Sequence, residues 1–338
     1  MVQSETFIDR LVHAIQEKRS VLCVGIDPQF DSIPEPLKRE AISRYGKTLR
    51  AIRHLFEEFA KRIIHAVEFD AVAVKPNWGF FVGYGYHGFR AYQNILQYAQ
   101  RQGLIVIADG KPGDGPPTAQ YYAKGFLGEM PFWPDGDGRP TTIRSPIRAD
   151  AMTAQVELGE PWWDALRDEV VATGRGAFLM LRSSFRGGWS GHESSIQRHT
   201  TISAEPWWEQ FAQSHMKKIC ADTAGKTGWY NVGAVVGATF PREAETIRKI
   251  LPKVWFLTPG LGDQKATADD AVAGVDDQGL GVLAAPSRSV IYAYMREGFI
   301  RPPEEFAQAA AAAARVARDA LNMAIQRRLH DRKNATVR

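Results

Sequence analysis

The stretch LIVIADGKPGDGPPT, residues 104–118, decides how this chain reads. Its first five residues, Leu104 to Ala108, are apolar and partly β-branched, the pattern of a short strand buried on both faces. Polarity then reverses, with Asp109, Lys111 and Asp114 following one another between Gly and Pro residues. A buried strand that ends in Asp-x-Lys-x-x-Asp delivers two carboxylates and an ammonium to one strand-to-helix loop, where α/β folds build their sites. Taken alone, the same residues also fit a helix-capping Asp among surface charges. The rest of the chain decides between the two.

Outward from this stretch, the chain repeats the same pattern. VLCVGID (21–27) is an apolar run ending on Asp27 before the breaker Pro28, and DAVAVKP (70–76) carries Lys75 at its end. ADAMTAQ (149–155), GAFLMLR (176–182), NVGAVVGA (231–238), VWFLTPG (254–260) and GVLAAPSR (281–288) follow. That makes eight strand-like runs, beginning near 21, 70, 104, 149, 176, 231, 254 and 281, each followed by a helix-like segment. The alternation predicts an α/β fold, a (β/α)8 TIM barrel, with residues 1–338 forming a single domain. Every strand of such a barrel points its carboxyl end at one shared face. Asp27, Lys75, Asp109 and Lys111, from the first three strands, are therefore expected to converge, and four charged groups on one barrel mouth favour an active site over a solvated surface.

Between the strands, Ser4 to Lys18 is periodic as a helix, with Phe7, Leu11, Val12 and Ile15 on one face and Ser4 as its cap. Helices are further predicted over about 40–67, 88–102, 118–127, from near Pro161, over 205–222, 241–251 and 266–275, and in an Ala-rich C-terminal segment, 303–332. EMPFWPDGDGRPTTIRSPIR is Pro/Gly-rich without periodicity and reads as an inserted loop over about 129–148, with a lid function left open. Residues 183–200 read as a polar loop. Glu-Pro-Trp-Trp occurs at 160–163 and again at 205–208; Pro in the first turn with aromatics behind it reads as a helix start anchored on the core.

Composition narrows the function classes. With 338 residues, 44% hydrophobic and 24% charged, the chain can bury a large core and needs no cofactor for stability. The net charge of +4 is spread over interleaved helix faces and gathers only near the C-terminus, at Arg327, Arg328, Arg332, Lys333 and Arg338. No basic stripe with exposed aromatics is present, so no nucleic-acid partner is expected. Cys23 in a strand and Cys220 in a helix form neither a disulfide framework nor a zinc pattern, which points to a reducing compartment. The amino terminus MVQSETFIDRLVHAI contains acidic residues and no unbroken apolar core, so it is not read as a secretory signal. No run approaches the roughly 18 apolar residues that span a membrane. The expectation is a cytoplasmic protein with no membrane partner.

GIDP with Asp27, AVKPN with Lys75, DGKPGD with Asp109, Lys111 and Asp114, GAVVGATFPREAETIRKILP, LTPGLGDQ and PSRSVIYA stand together in one order and spacing. That combination resembles the orotidine 5'-phosphate decarboxylases, over about residues 20–296, and is most similar to their longer bacterial subfamily. The resemblance implies decarboxylation of orotidine 5'-phosphate to UMP, the last step of de novo pyrimidine nucleotide synthesis, on a small-molecule nucleotide substrate. It further implies a carbon–carbon lyase with no metal and no organic cofactor, and a homodimer with shared sites. By that resemblance Lys75, Asp109 and Lys111 act in one subunit, Asp114 reaches into the partner's site, and Lys111 protonates C6 as carbon dioxide leaves. Asp27 and Thr118 would hold ribose hydroxyls, Thr118 across the dimer. Gln264 and Arg288, with the backbone near Gly260 and Ser289, would hold the phosphate, and Gln155 would stand beside the base.

The implied chemistry has its own logic. Loss of carbon dioxide from C6 leaves an electron pair in an sp2 orbital that the ring cannot delocalise, so the site must stabilise that charge and quench it with a nearby proton. A fixed lysine ammonium does both. Carboxylates keep such lysines charged despite burial, and Asp109 beside the substrate carboxylate would raise the ground state. Phosphate binding far from C6 can organise the charged array from a distance.

Several positions depart from the family pattern. Gly110, Pro112, Gly115, Pro116 and Pro117 replace residues of its usual Asp-Ala-Lys-Arg-Gly-Asp-Ile-Gly-Ser-Thr loop, and Gly115 removes an apolar side chain beside the pyrimidine. Gln155 and Val156 stand where a small polar residue and Pro are usual. The phosphate loop reads Gly262-Asp263-Gln264-Lys265-Ala266 in place of Gly-Ala-Gln-Gly-Gly, and an added carboxylate beside a phosphate is unfavourable unless it points away. Two alternatives stay open: a paralogue acting on a modified pyrimidine nucleotide, and a non-catalytic nucleotide-binding barrel. The intact Asp109, Lys111 and Asp114 argue against the second. Sugar-phosphate decarboxylases share the D-x-K-x-x-D loop but hold magnesium on acids, and Lys75 stands where they need a carboxylate.

Overall fold

Short runs that are apolar on both faces belong in a parallel sheet covered by helices, and that is where the eight runs lie. The computed structural model describes residues 5–185, 195–198 and 201–336. The strands in chain order are β1 (Cys23–Ile26), β2 (Ala73–Pro76), β3 (Ile105–Ala108), β4 (Glu129–Phe132), β5 (Thr141–Arg144), β6 (Ala151–Ala154), β7 (Gly176–Arg182), β8 (Ser195–Arg198), β9 (Thr201–Pro206), β10 (Val232–Val236), β11 (Phe256–Pro259) and β12 (Val282–Ala285). Eight of them pair in parallel in the order β1-β2-β3-β6-β7-β10-β11-β12. The sheet closes where Leu22 bridges Ala284, whose N–H donates to the Val21 carbonyl at 2.9 Å, and where Gly25 N–H donates to the Pro286 carbonyl at 2.8 Å. The result is a single-domain (β/α)8 barrel with no free edge to its main sheet.

The helices are α1 (Phe7–Lys18), α2 (Glu35–Tyr45), α3 (Leu49–Val67), α4 (Gly85–Arg101), α5 (Thr118–Leu127), α6 (Glu160–Thr173), α7 (Trp207–Phe211), α8 (Lys217–Cys220), α9 (Pro241–Ile250), α10 (Ala268–Ala271), α11 (Arg288–Ile291) and α12 (Phe306–Thr336). Helix α1 closes the amino-terminal end of the barrel. Its Phe7 meets Phe178 edge-on with ring centroids 5.9 Å apart, and buried Asp9 accepts hydrogen bonds from Lys226 N at 3.0 Å and Thr227 N at 2.8 Å. The opposite end, where the strands finish, is left for the site. Among the described residues no helix is long and apolar enough to cross a membrane.

Local structure departs from the sequence reading at several points. Helix α1 is capped by Thr6, whose side chain accepts from Asp9 N, and Ser4 lies outside the described residues. The helix expected over 40–67 is two, because Gly46 at φ 64° turns the chain and Thr48 caps a new start. The segment expected as helix over 205–222 begins in β9 and runs through α7, a wider turn and α8, since Pro206 can only precede a helix here. One turn, α10, replaces the helix near 266–275; a reciprocal Thr267–Asp270 capping box starts it. Residues 129–148 are no irregular loop: β4 and β5 form an antiparallel hairpin. Of the polar loop 183–200, residues 195–198 pair with β9, while 186–194 and 199–200 lie outside the described residues. Arg338 also lies outside them. In the paired Glu-Pro-Trp-Trp segments Trp162, Trp163 and Trp208 are buried and Trp207 stacks on Phe211, so both do anchor helix starts.

Candidate active site

Pleating decides which strand-end residues meet. Asn77 bridges Asp109 across β2 and β3, and Lys75 lies two residues before Asn77, so Lys75 and Asp109 share the inward face one pleat apart. Both are buried, at 7% and 4% exposure, and a lone ammonium or carboxylate at such depth would lose several kcal/mol of hydration. Each is the other's remedy. Lys75 Nζ donates to Asp109 Oδ2, Lys111 Nζ donates to Asp109 Oδ1, and Thr153 Oγ1 on β6 donates to the same Oδ1 at 2.8 Å. Thr153 Oγ1 also accepts the Lys111 N–H at 3.2 Å. Lys111 sits at φ 46°, in the left-handed region, where L-residues are strained, so its loop is bent sharply back over the end of β3.

Electrostatics follow from this geometry. Burial opposes the charge on Lys75, but Asp109 and then Asp27 outweigh it and move its pKa above the ordinary lysine value. Burial likewise pushes Asp109 up, yet Lys75 and Lys111 together hold its carboxyl well below the usual carboxylate range. The three groups carry a net charge of +1, two ammoniums against one carboxylate. Cys23 on β1 is pushed up to about 12 by burial, so its thiol is no nucleophile at neutral pH.

These residues floor a cavity of about 390 Å³ lined by six of the barrel strands and by the residues just after β1 and β3. Asp27, Lys75, Asp109 and Lys111 line one side, with Asn77, Phe80 and Thr153; Gly260, Gln264 and Arg288 line another, with Asp263 and Ser287. Two polar atoms of these lining residues, Asp27 Oδ1 and Gln264 Oε1, are buried without a hydrogen-bond partner. Such atoms are rare in folded proteins, and a ligand would satisfy them. Gly260 at φ 114° and Gly262 at φ 85° let the loop after β11 fold against α11; a side chain at 262 would strike Ser289 Oγ at 2.8 Å. Ser289 thus touches the loop without lining the cavity.

Three other sequence-predicted residues lie elsewhere. Gln155 is not in the lining; its N–H donates to the Pro112 carbonyl at 3.0 Å, tying β6 to the Asp109 loop. Asp114 is half-buried, with Oδ1 accepting from Gly115 N at 2.7 Å, and Thr118 is exposed at the start of α5. No part of the 129–148 hairpin lines the cavity, because it follows the far end of α5. Sequence reasoning missed Thr153, Asn77, Ser183 and Ser287. The available signal for Thr153 was a lone hydroxyl in an otherwise apolar strand.

Fold and site define a (β/α)8 barrel with a Lys-Asp-Lys array under its mouth and with Gln264 and Arg288 on the loops after its last two strands, where barrels of this class commonly hold phosphate. Residues 20–291 match the model of the orotidine 5'-phosphate decarboxylase / HUMPS family, and the chain belongs to that family. It is 31% identical over 288 residues to the orotidine 5'-phosphate decarboxylase of Caldicellulosiruptor bescii, covering 85% of this chain and 90% of that one. The enzyme of the same name from Rhodopirellula baltica is 33% identical over 294 residues, covering 87% and 91%. The solved Leishmania donovani OMP decarboxylase superposes with a TM-score of 0.64 at 24% identity, over 93% of this chain and 100% of that one, a likeness of fold.

Proposed function

We propose that this chain is a carbon–carbon lyase that decarboxylates orotidine 5'-phosphate to UMP, the last step of de novo pyrimidine nucleotide synthesis. The observation that carries the reading is the Lys75-Asp109-Lys111 array on the cavity floor, in a chain of this family. Asp109 sits with both oxygens engaged, so it cannot move away from a substrate carboxylate brought against it. Expulsion of carbon dioxide relieves that repulsion, and the electron pair left on C6 is stabilised by the ammonium of Lys111, which then delivers its proton. Lys75 keeps Asp109 ionised throughout. Unpartnered Asp27 Oδ1 suits a ribose hydroxyl, and Gln264 with Arg288 suits the phosphate.

In this reading the working unit is a homodimer. Asp114 and Thr118 stand outside their own cavity on the loop and helix that follow β3, and they serve the partner's site. The protein is cytoplasmic, with two free, buried cysteines. The test follows loss of orotidine 5'-phosphate absorbance with purified protein, beside Lys111→Ala. Conversion abolished by that substitution, in a variant that still binds UMP, is expected. Tight UMP binding by the wild type without any conversion would overturn the reading in favour of a non-catalytic barrel.

A further inference from the structure

A carboxylate in a phosphate loop should repel the ligand, yet the loop after β11 carries one. The loop is a tight turn: Lys265 N–H donates to the Gly262 carbonyl at 2.8 Å, and Gly262 N–H to the Ala266 carbonyl at 3.2 Å. That turn seats Asp263 against the start of α11 with only 18% of its side chain exposed. Its two oxygens face two guanidiniums: Oδ2 lies 3.5 Å from Arg288 Nε, and Oδ1 accepts from Arg296 Nη2. Three charges therefore sum to +1 at this end of the cavity, and the carboxylate, although Asp263 is among the lining residues, has each oxygen against an arginine.

The side of Arg288 that is engaged matters. Asp263 takes Nε, and among the described residues no other ion pair or hydrogen bond occupies the Arg288 side chain, although it lines the cavity. Its two terminal nitrogens remain as the planar pair of donors that matches two oxygens of a phosphate. An arginine half-exposed at a barrel mouth would otherwise spread over many rotamers, and the ligand would have to select one.

We propose that Asp263 is a positioning residue for the phosphate group: it pairs with Arg288 through Nε, with Arg296 balancing its charge, so that the terminal nitrogens of Arg288 are presented to the ligand. The inference rests on the nucleotide reading above. It runs opposite in sign to simple electrostatics, in which deleting a carboxylate beside a phosphate tightens binding.

The test titrates UMP and uridine calorimetrically into wild type, Asp263→Ala and Asp263→Asn. Asp263→Ala is expected to weaken UMP about fivefold, the upper range for a half-exposed pair, and to leave uridine unchanged. Asp263→Asn, which keeps an accepting oxygen for Arg288 Nε, is expected to bind UMP more tightly than Asp263→Ala. In steady-state assays the loss should appear in KM with kcat retained. UMP bound by Asp263→Ala as tightly as by wild type, or more so, overturns the inference, as does an equal loss for uridine, which would mark a merely structural loop residue. Failure of wild type itself to bind UMP overturns the nucleotide reading, and this inference with it.

Discussion

Thr153→Val removes one oxygen from a buried strand and replaces it with a methyl group of nearly the same size. Thr153 is 1% exposed, and its hydroxyl makes two contacts: it donates to Asp109 Oδ1 at 2.8 Å and accepts the Lys111 N–H at 3.2 Å. Asp109 retains both lysines in the variant, so no charge is left unpaired, and of the two hydrogen bonds lost the one to the charged Asp109 is worth about 1.5–3 kcal/mol. The second contact is made to Lys111 in its left-handed backbone conformation, and its loss is expected to let the ammonium drift from the place where the proposed reaction develops its electron pair. If that whole energy is felt in the transition state, kcat falls by about 10- to 150-fold, at 1.4 kcal/mol per factor of ten. The melting temperature moves only a little: at about 2.1 cal/mol/K per residue over 338 residues, a loss of about 3 kcal/mol lowers Tm by about 4 °C. The assay is orotidine 5'-phosphate turnover with a thermal melt on the same preparation, and Thr153→Ser, which keeps the hydroxyl, should recover most of the rate. Wild-type kcat in Thr153→Val, or equal impairment of the Val and Ser variants, would refute the reasoning.

Other expectations follow from the same geometry. If the proposed dimer shares its sites, Asp114→Asn and Lys75→Ala, each expected to be inactive alone, should regain about a quarter of wild-type activity when mixed as subunits, since half the dimers then hold one undamaged site of two; no recovery under verified exchange counts against a shared site. The depressed Asp109 carboxyl contributes its ion-pair stability above its ordinary value of 3.8 and loses it as pH falls through and below that value, whereas the raised Lys75 contributes fully below 10.5 and is lost only as pH rises beyond it. The gap in urea midpoint between wild type and Asp109→Asn should therefore be held near pH 5 and narrow toward about pH 3. Replacing residues 131–142 of the hairpin by Asn-Gly should leave kcat within about twofold, because that hairpin is remote from the cavity.

How much could be read beforehand differs between elements for a physical reason. LIVIA and VLCVGI are legible as strands because a parallel strand inside a barrel is apolar on both faces, and the charge that follows each marks where the backbone leaves the core. Gly46, by contrast, breaks a long helical pattern with one residue of positive φ, and the hairpin at 129–144 carries exposed side chains on both strands, so neither left a periodic trace. The one-dimensional chain determined that acids and lysines stand at successive strand ends, and hence that a barrel would bring them to one mouth. Tertiary structure alone decided their partners. Thr153 reaches Asp109 across 44 residues and Asp263 reaches Arg296 across 33, and such pairs form because barrel closure and loop packing bring them within hydrogen-bond range, which no local spacing encodes.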